Sequence, residues 1–182
     1  MPVWEDGEIL KAIKVPGQEE AAFNQLVQKY QERLYWHIRK IVISHDDADD
    51  VLQNTMIKVW KSIGNFRSES GLFTWLYRIA TNESLTFLKQ KKKRSMGNWE
   101  DFEHMISETL ESDQWFNGDE IQMKLQQAIL KLPEKQRIVF NMKYFDEVKY
   151  EKMSEILGTS VGALKASYHH AVKKIEAMLG DD

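Results

Sequence analysis

The chain has 182 residues, with 25 Lys and Arg against 28 Asp and Glu, no Cys and 42% hydrophobic side chains. That length suits one domain or two small ones, and the apolar content excludes wholesale disorder. Without Cys there is no disulfide, thiolate zinc site, iron–sulfur cluster or Cys nucleophile, and a reducing cytoplasm fits. No apolar run approaches the roughly 18 residues of a membrane span. The opening MPVWEDGEIL lacks the basic-then-apolar pattern of an export signal.

The net charge of −3 counts against a nucleic-acid partner only while it is averaged. Residues 1–94 hold 15 basic and 12 acidic side chains, residues 95–120 none and eight, and residues 121–182 ten and eight. The chain is therefore two basic lobes, +3 and +2, joined by a strip of −8. Lys89, Lys91, Lys92, Lys93 and Arg94 crowd the end of the first lobe, an electrostatic footprint for polyanions.

Few Pro and Gly and abundant helix formers predict an all-α protein; no segment alternates with period two. Phe23, Leu26, Val27, Tyr30, Leu34, Ile38 and Ile41 recur at helical spacing over 19–43. Ser44 and the acidic cluster Asp46, Asp47, Asp49 and Asp50 begin a second helix. That helix buries Ala48, Val51, Leu52, Thr55, Met56, Val59 and Ile63 and closes at Gly64. After a polar turn over Asn65–Gly71, a third helix carries Leu72, Leu76, Ile79, Ala80 and Leu88 inward and ends in the basic run. The second lobe starts near Ile121 with a short helix through Leu125, Ile129 and Leu132. Pro133 opens the next helix, which runs to about Phe145. Tyr150, Met153, Ile156 and Leu157 make another short helix that Gly158 stops in a left-handed turn. Thr159 or Ser160 then caps a long last helix through Val161, Leu164, Tyr168, Val172, Ile175 and Leu179. A short helix, a turn with Gly and a longer helix form a helix-turn-helix.

Together these segments resemble the bacterial extracytoplasmic-function sigma factors, over about residues 20–94 and 121–179. The stretch from Asp46 to Trp60, DDADDVLQNTMIKVW, resembles the helix by which that family grips core RNA polymerase. The resemblance assigns polymerase contacts to Asp46, Asp49, Asp50, Gln53, Asn54, Ile57, Lys58 and Trp60. Phe66-Arg67 and the run from Phe73 to Asn82 resemble its promoter-opening segment. Trapping unpaired bases needs aromatic faces beside cations. Phe66, Arg67, Trp75, Tyr77, Arg78 and Asn82, with Lys89, Lys91, Lys92, Lys93 and Arg94, are the residues expected at the minus-ten element. The loop Gly64–Gly71 is implied to hold extruded bases. Leu132–Arg137 and Ser160–Lys165 resemble the start and the recognition helix of the family's C-terminal domain.

Minus-thirty-five contacts are then expected from Ser160, Val161, Gly162, Ala163, Lys165, Ala166, Ser167, His169, His170 and Lys173. Gly162 and Ala163 permit close backbone approach, and Lys165 reaches either a guanine edge or a phosphate. Ser167, His170 and Val172 stand where relatives commonly carry Arg, which predicts a weaker and less salt-dependent grip by this lobe. The acidic strip, with Trp99, Phe102, Trp115 and Phe116, is implied to thread the polymerase's basic channel or to stay solvated. Domains are expected at 1–94 and 121–182, with the linker at 95–120. The implied partners are core RNA polymerase, promoter DNA with its melted strand, and an anti-sigma protein. No metal or cofactor is expected.

Three rivals stand beside this reading. Asp46, Asp47 and Asp50 spell a DDxxD string like that of magnesium-dependent helical enzymes, but no second carboxylate motif or ligand-spaced His accompanies it. A helix-turn-helix regulator working without polymerase leaves the 46–60 helix unexplained. A purely protein-binding helical module leaves the basic run unexplained.

Overall fold

The computed structural model describes residues 4–94, 104, 108 and 120–180. Among the described residues the regular elements are eight α-helices and one 3₁₀ turn, with no strand. Backbone contacts divide the chain into two compact units, Met1–Phe87 and Leu88–Asp182.

The first unit opens on a helix that the sequence pattern did not announce, α1 (Asp6–Ala12). It is only seven residues long, too short to persist alone in water. Tertiary contacts hold it. Ile9 and Ala12 are buried, and α1 packs on α2 (Glu19–Val42). The Tyr30 hydroxyl donates to Asp6 at 2.8 Å, and the Lys29 ammonium donates to the Trp4 carbonyl at 3.1 Å and meets Asp6 at 2.8 Å. The hydrogen bond to Asp6 raises the Lys29 pKa, and burial followed by Asp6 raises that of Tyr30.

Along α2 the residues Leu26, Tyr30, Leu34, Ile38 and Ile41 form the predicted buried stripe. The helix ends at Ile43, whose φ of 72° is rare for a β-branched residue. Such a residue costs on the order of 1–3 kcal/mol, which the burial of its side chain helps offset. This corner presents Ser44 as the cap of α3 (His45–Ser62), its hydroxyl accepting from the Asp47 amide at 3.4 Å. Ala48, Val51, Thr55 and Val59 of α3 are buried as expected, whereas Leu52 and Met56 are half-buried. Gly64 does not close the helix. It lies within the 3₁₀ turn Ile63–Asn65, and the buried Ile63 anchors that turn.

Next comes α4 (Leu72–Arg94), a continuous helix within which the division between units falls. A polar contact ties it to α2: His37 Nε2 lies 2.8 Å from the Thr81 hydroxyl. That hydroxyl donates to the Tyr77 carbonyl at 2.6 Å, so the imidazole is the donor in the His37–Thr81 bond. Lys58 of α3 pairs with Glu83 of α4.

In the second unit, α5 (Glu120–Leu130) and α6 (Glu134–Tyr144) precede α7 (Tyr150–Leu157) and α8 (Val161–Gly180). Pro133 is the cap of α6 rather than its first helical residue, with an extended ψ of 140°. Ala128, Ile129, Leu132, Phe140, Ala171 and Ile175 make the core, with Leu125, Tyr168, Val172 and Met178 packed against it. Gly158 has φ 62° and ψ 32°, the left-handed stop that its position implied. Ser160 caps α8 by accepting from the Ala163 amide at 3.2 Å. The hydroxyl of Thr159 turns back to the Leu157 carbonyl. Leu164, in the first turns of α8, and Met153 of α7 are fully buried.

Candidate nucleic-acid interface

On α3 the heptad geometry separates two faces. The buried face has just been described. The other presents Asp46, Asp50, Gln53, Asn54, Ile57, Lys58 and Trp60, all exposed, with Asp49 half-buried at its edge. Ile57 is 50% exposed and Trp60 46%, large apolar surfaces among polar neighbours. The Trp60 ring meets Phe23 of α2 edge-on, with centroids 4.9 Å apart, so the indole is steadied but not covered. Asp49 is held as well. His45 Nε2 lies 3.5 Å from its carboxylate, and His45 Nδ1 lies 2.6 Å from the Tyr35 hydroxyl. The Lys58 ammonium pairs with Glu83 and braces α3 against α4, while its side chain stays largely exposed.

On α4 the expected aromatic platform is only partly available. Tyr77 is 1% exposed: its ring packs against His37 and Phe73, at 4.6 and 4.2 Å between centroids. Its hydroxyl donates to the Arg33 carbonyl at 3.3 Å. Phe66 is 7% exposed and lies 5.0 Å from Trp75. Both are core residues, which corrects their assignment as base-stacking faces. Tyr77 is covered because α4 is tied to α2 on one side and to α3 on the other, so its buried arc is wide; Phe66 precedes α4, at the end of the 3₁₀ turn, and packs on Trp75. Trp75 remains half-buried and Arg67 is exposed. Trp75, Arg78, Asn82, Thr86, Lys89 and Lys93 recur at three- and four-residue spacing and share one stripe along α4. Thr86 is an addition to the expected set; the 3.6 period running through Asn82 and Lys89 was the available signal. Lys92 and Arg94 are exposed beside this stripe and Lys91 is half-buried. Arg33 of α2 stacks its guanidinium 4.7 Å over the Phe73 ring, a cation that the sequence pattern did not flag.

Ser160, before α8, and Gly162, Ala163, Lys165, Ala166, His169, His170 and Lys173 on it are exposed, and Val161 and Ser167 are half-buried. The fully buried Leu164 and Ala171 turn this surface outward. A Cβ on Gly162 would meet nothing within 4 Å, so packing does not require glycine there. The His169 and His170 rings lie 6.0 Å apart. Among the described residues no group of three His, Asp or Glu side chains is placed to hold a metal, and no helix is long and apolar enough to cross a membrane. The acidic strip, with Trp99, Phe102, Trp115 and Phe116, lies outside the described residues.

Helical units with an outward basic stripe and a terminal helix-turn-helix define a DNA-binding protein. Two family models complete the assignment. Sigma-70 region 2 matches residues 26–94 and Sigma-70 region 4 matches residues 122–175. The chain is 30% identical to the RNA polymerase sigma-H factor of Pseudomonas aeruginosa, over 91% of this chain and 90% of that protein. It is 29% identical to the ECF RNA polymerase sigma factor SigW of Bacillus subtilis, over 95% and 97%. Among solved structures it resembles CnrH, determined with the cytosolic domain of CnrY, with a TM-score of 0.70 at 21% identity. That match covers 97% of this chain and 98% of CnrH. The sigma factor RpoE of Bartonella quintana, determined with the anti-sigma factor NepR, gives 0.64 at 22% identity, over 88% and 98%. The chain belongs to the sigma-70 family, in its extracytoplasmic-function class. It is a sigma factor, the component that directs core RNA polymerase to promoters and helps open the DNA.

Proposed function

We propose that this sigma factor divides its work among three surfaces. The α3 face built from Asp46, Asp49, Asp50, Gln53, Asn54, Ile57 and Trp60 docks on core polymerase. The α4 stripe from Trp75 to Lys93, with Arg67, Lys91, Lys92 and Arg94, takes the minus-ten element. The exposed N-terminal half of α8 enters the major groove at the minus-thirty-five element. The functional domains are residues 1–94 and 121–182, joined by 95–120; α4 runs unbroken to Arg94 and thereby keeps the basic run in register with Trp75.

The observation that carries this reading is the pairing of exposed apolar surface on α3 with a basic stripe on α4. Ile57 and Trp60 suit a protein partner, whose interface core is apolar and aromatic. Trp75, Asn82 and the lysines suit a polyanion with exposed bases. The protein carries no chemistry of its own: strand opening is driven by binding energy, at roughly 1–3 kcal/mol per stacked base. It acts in the cytoplasm with the polymerase. Two of the similar structures are complexes with partner proteins, one of them an anti-sigma factor, and an anti-sigma protein is proposed for this chain too.

Permanganate footprinting tests the α4 assignment. Trp75→Ala combined with Asn82→Ala should cut thymine reactivity in the melted region at least about tenfold, from the loss of one to two stacked bases. Polymerase binding by the double variant should be unchanged. Full reactivity would remove α4 from the opening step.

A further inference from the structure

Packing of α6 against the helix-turn-helix brings together three side chains that lie apart in the sequence. Tyr150 is the first residue of α7 and is half-buried. The ammonium of Lys143, near the end of α6, lies 4.7 Å from the Tyr150 ring centroid. That of Lys165, on the second turn of α8, lies 5.8 Å from the same centroid. Both distances are within cation–π range. Burial, followed by the neighbouring Tyr168, raises the Tyr150 pKa, so the phenol stays neutral beside the two cations. Among the described residues neither lysine pairs with a carboxylate, and Glu151 in the same turn does not reach them.

Lys143 and Lys165 each keep N–H donors that no carboxylate takes, and an anion reached by both would be held by two charges. The surroundings favour an anion as well. The cap of α7 is Lys149, which brings no side-chain oxygen to the free amides of the first turn. Lys165 is drawn toward the start of α7, whereas base edges would be met by the exposed small residues Gly162, Ala163 and Ala166.

We propose that Lys143, Tyr150 and Lys165 form a seat for one DNA backbone phosphate, in which Tyr150 is a positioning residue for Lys165, and that Lys165 does not read a base. The seat fixes the register of α8 in the groove and leaves sequence choice to its small residues and Ser160. It rests on the reading that the N-terminal half of α8 enters the major groove.

The test uses the full chain assembled with core polymerase, on a promoter and on a panel of that promoter with single base changes upstream. Lys143→Ala and Lys165→Ala should each weaken binding, the double variant by about eightfold at 0.1 M salt, and equally across the panel. Because the two share one phosphate, the double variant should lower the slope of log affinity against log salt by about 0.9, and each single variant by no more than that. Tyr150→Phe keeps the ring and should match the parent chain. Tyr150→Leu should weaken binding, and adding it to the double lysine variant should cost nothing further. A Lys165→Ala loss confined to one base position would overturn the seat, as would a loss that resides in polymerase affinity. Gly162→Val distinguishes failure of the seat from failure of groove entry. If it abolishes discrimination across the panel while both lysine variants bind normally, the seat fails and the groove reading stands. If it leaves discrimination intact, the groove reading itself fails.

Discussion

Ile57→Asp should abolish association with core polymerase while leaving the protein as stable as before. Ile57 is half exposed on α3, so replacing it removes little buried surface and opens no cavity. Exposed substitutions of this kind change stability by about 0.5 kcal/mol or less. At an interface centre the same change buries a charge with no partner, and central anchors cost about 2 kcal/mol or more when lost. A 30-fold loss is therefore the floor, roughly, and a charge makes it larger. Titration of labelled polymerase against the two chains, beside matched thermal melts, reads both quantities. Trp60→Ala should also weaken association, but its melt should fall too, because the indole packs on Phe23. Wild-type affinity for Ile57→Asp would move the polymerase-binding face away from α3.

The second large effect concerns the basic end of α4. Neutralising Lys89, Lys93 and Arg94 together, each to Gln, removes three exposed charges without touching the core. If all three meet phosphates, the salt slope of promoter binding should fall by about 2 to 3, the value for three released counterions. At 0.1 M salt that amounts to roughly 10²- to 10³-fold in affinity, on promoter and non-promoter DNA alike. The corresponding change at Lys173 of α8 should lower the slope by about 0.9 only. An unchanged slope for the triple variant would mean that the basic run faces solvent or protein in the complex.

What the sequence made legible was the part governed by local physics. The buried stripe of α2 followed from helical spacing, the start of α3 from Ser44 and its acidic neighbours, and the turn before α8 from Gly158 and Ser160. Each of these depends on residues within a few positions of one another. Where tertiary contacts decide, the pattern was silent or misleading. The seven residues of α1 carry too little apolar pattern to announce a helix; Tyr30 and Lys29 of α2 hold it in place. Tyr77 has the chemistry of a stacking platform, but α2 lies over it, and His37 and Phe73 fill the space a base would need. The pairing of Lys58 with Glu83, 25 residues away, could not be read from spacing either. The cluster at Tyr150 is of the same kind, since Lys143 and Lys165 meet only once α6, α7 and α8 have packed.

The central claim is that this one chain gives core polymerase both its grip on promoter DNA and its choice of where to start. Reconstituted transcription of fragmented bacterial genomic DNA, with every transcript's 5′ end mapped, tests it most directly. The expected result is a small set of discrete starts that share two upstream elements, absent when Ile57→Asp replaces the parent chain. Scattered starts with no common elements, or DNA binding by the chain without any transcript it directs, would contradict it.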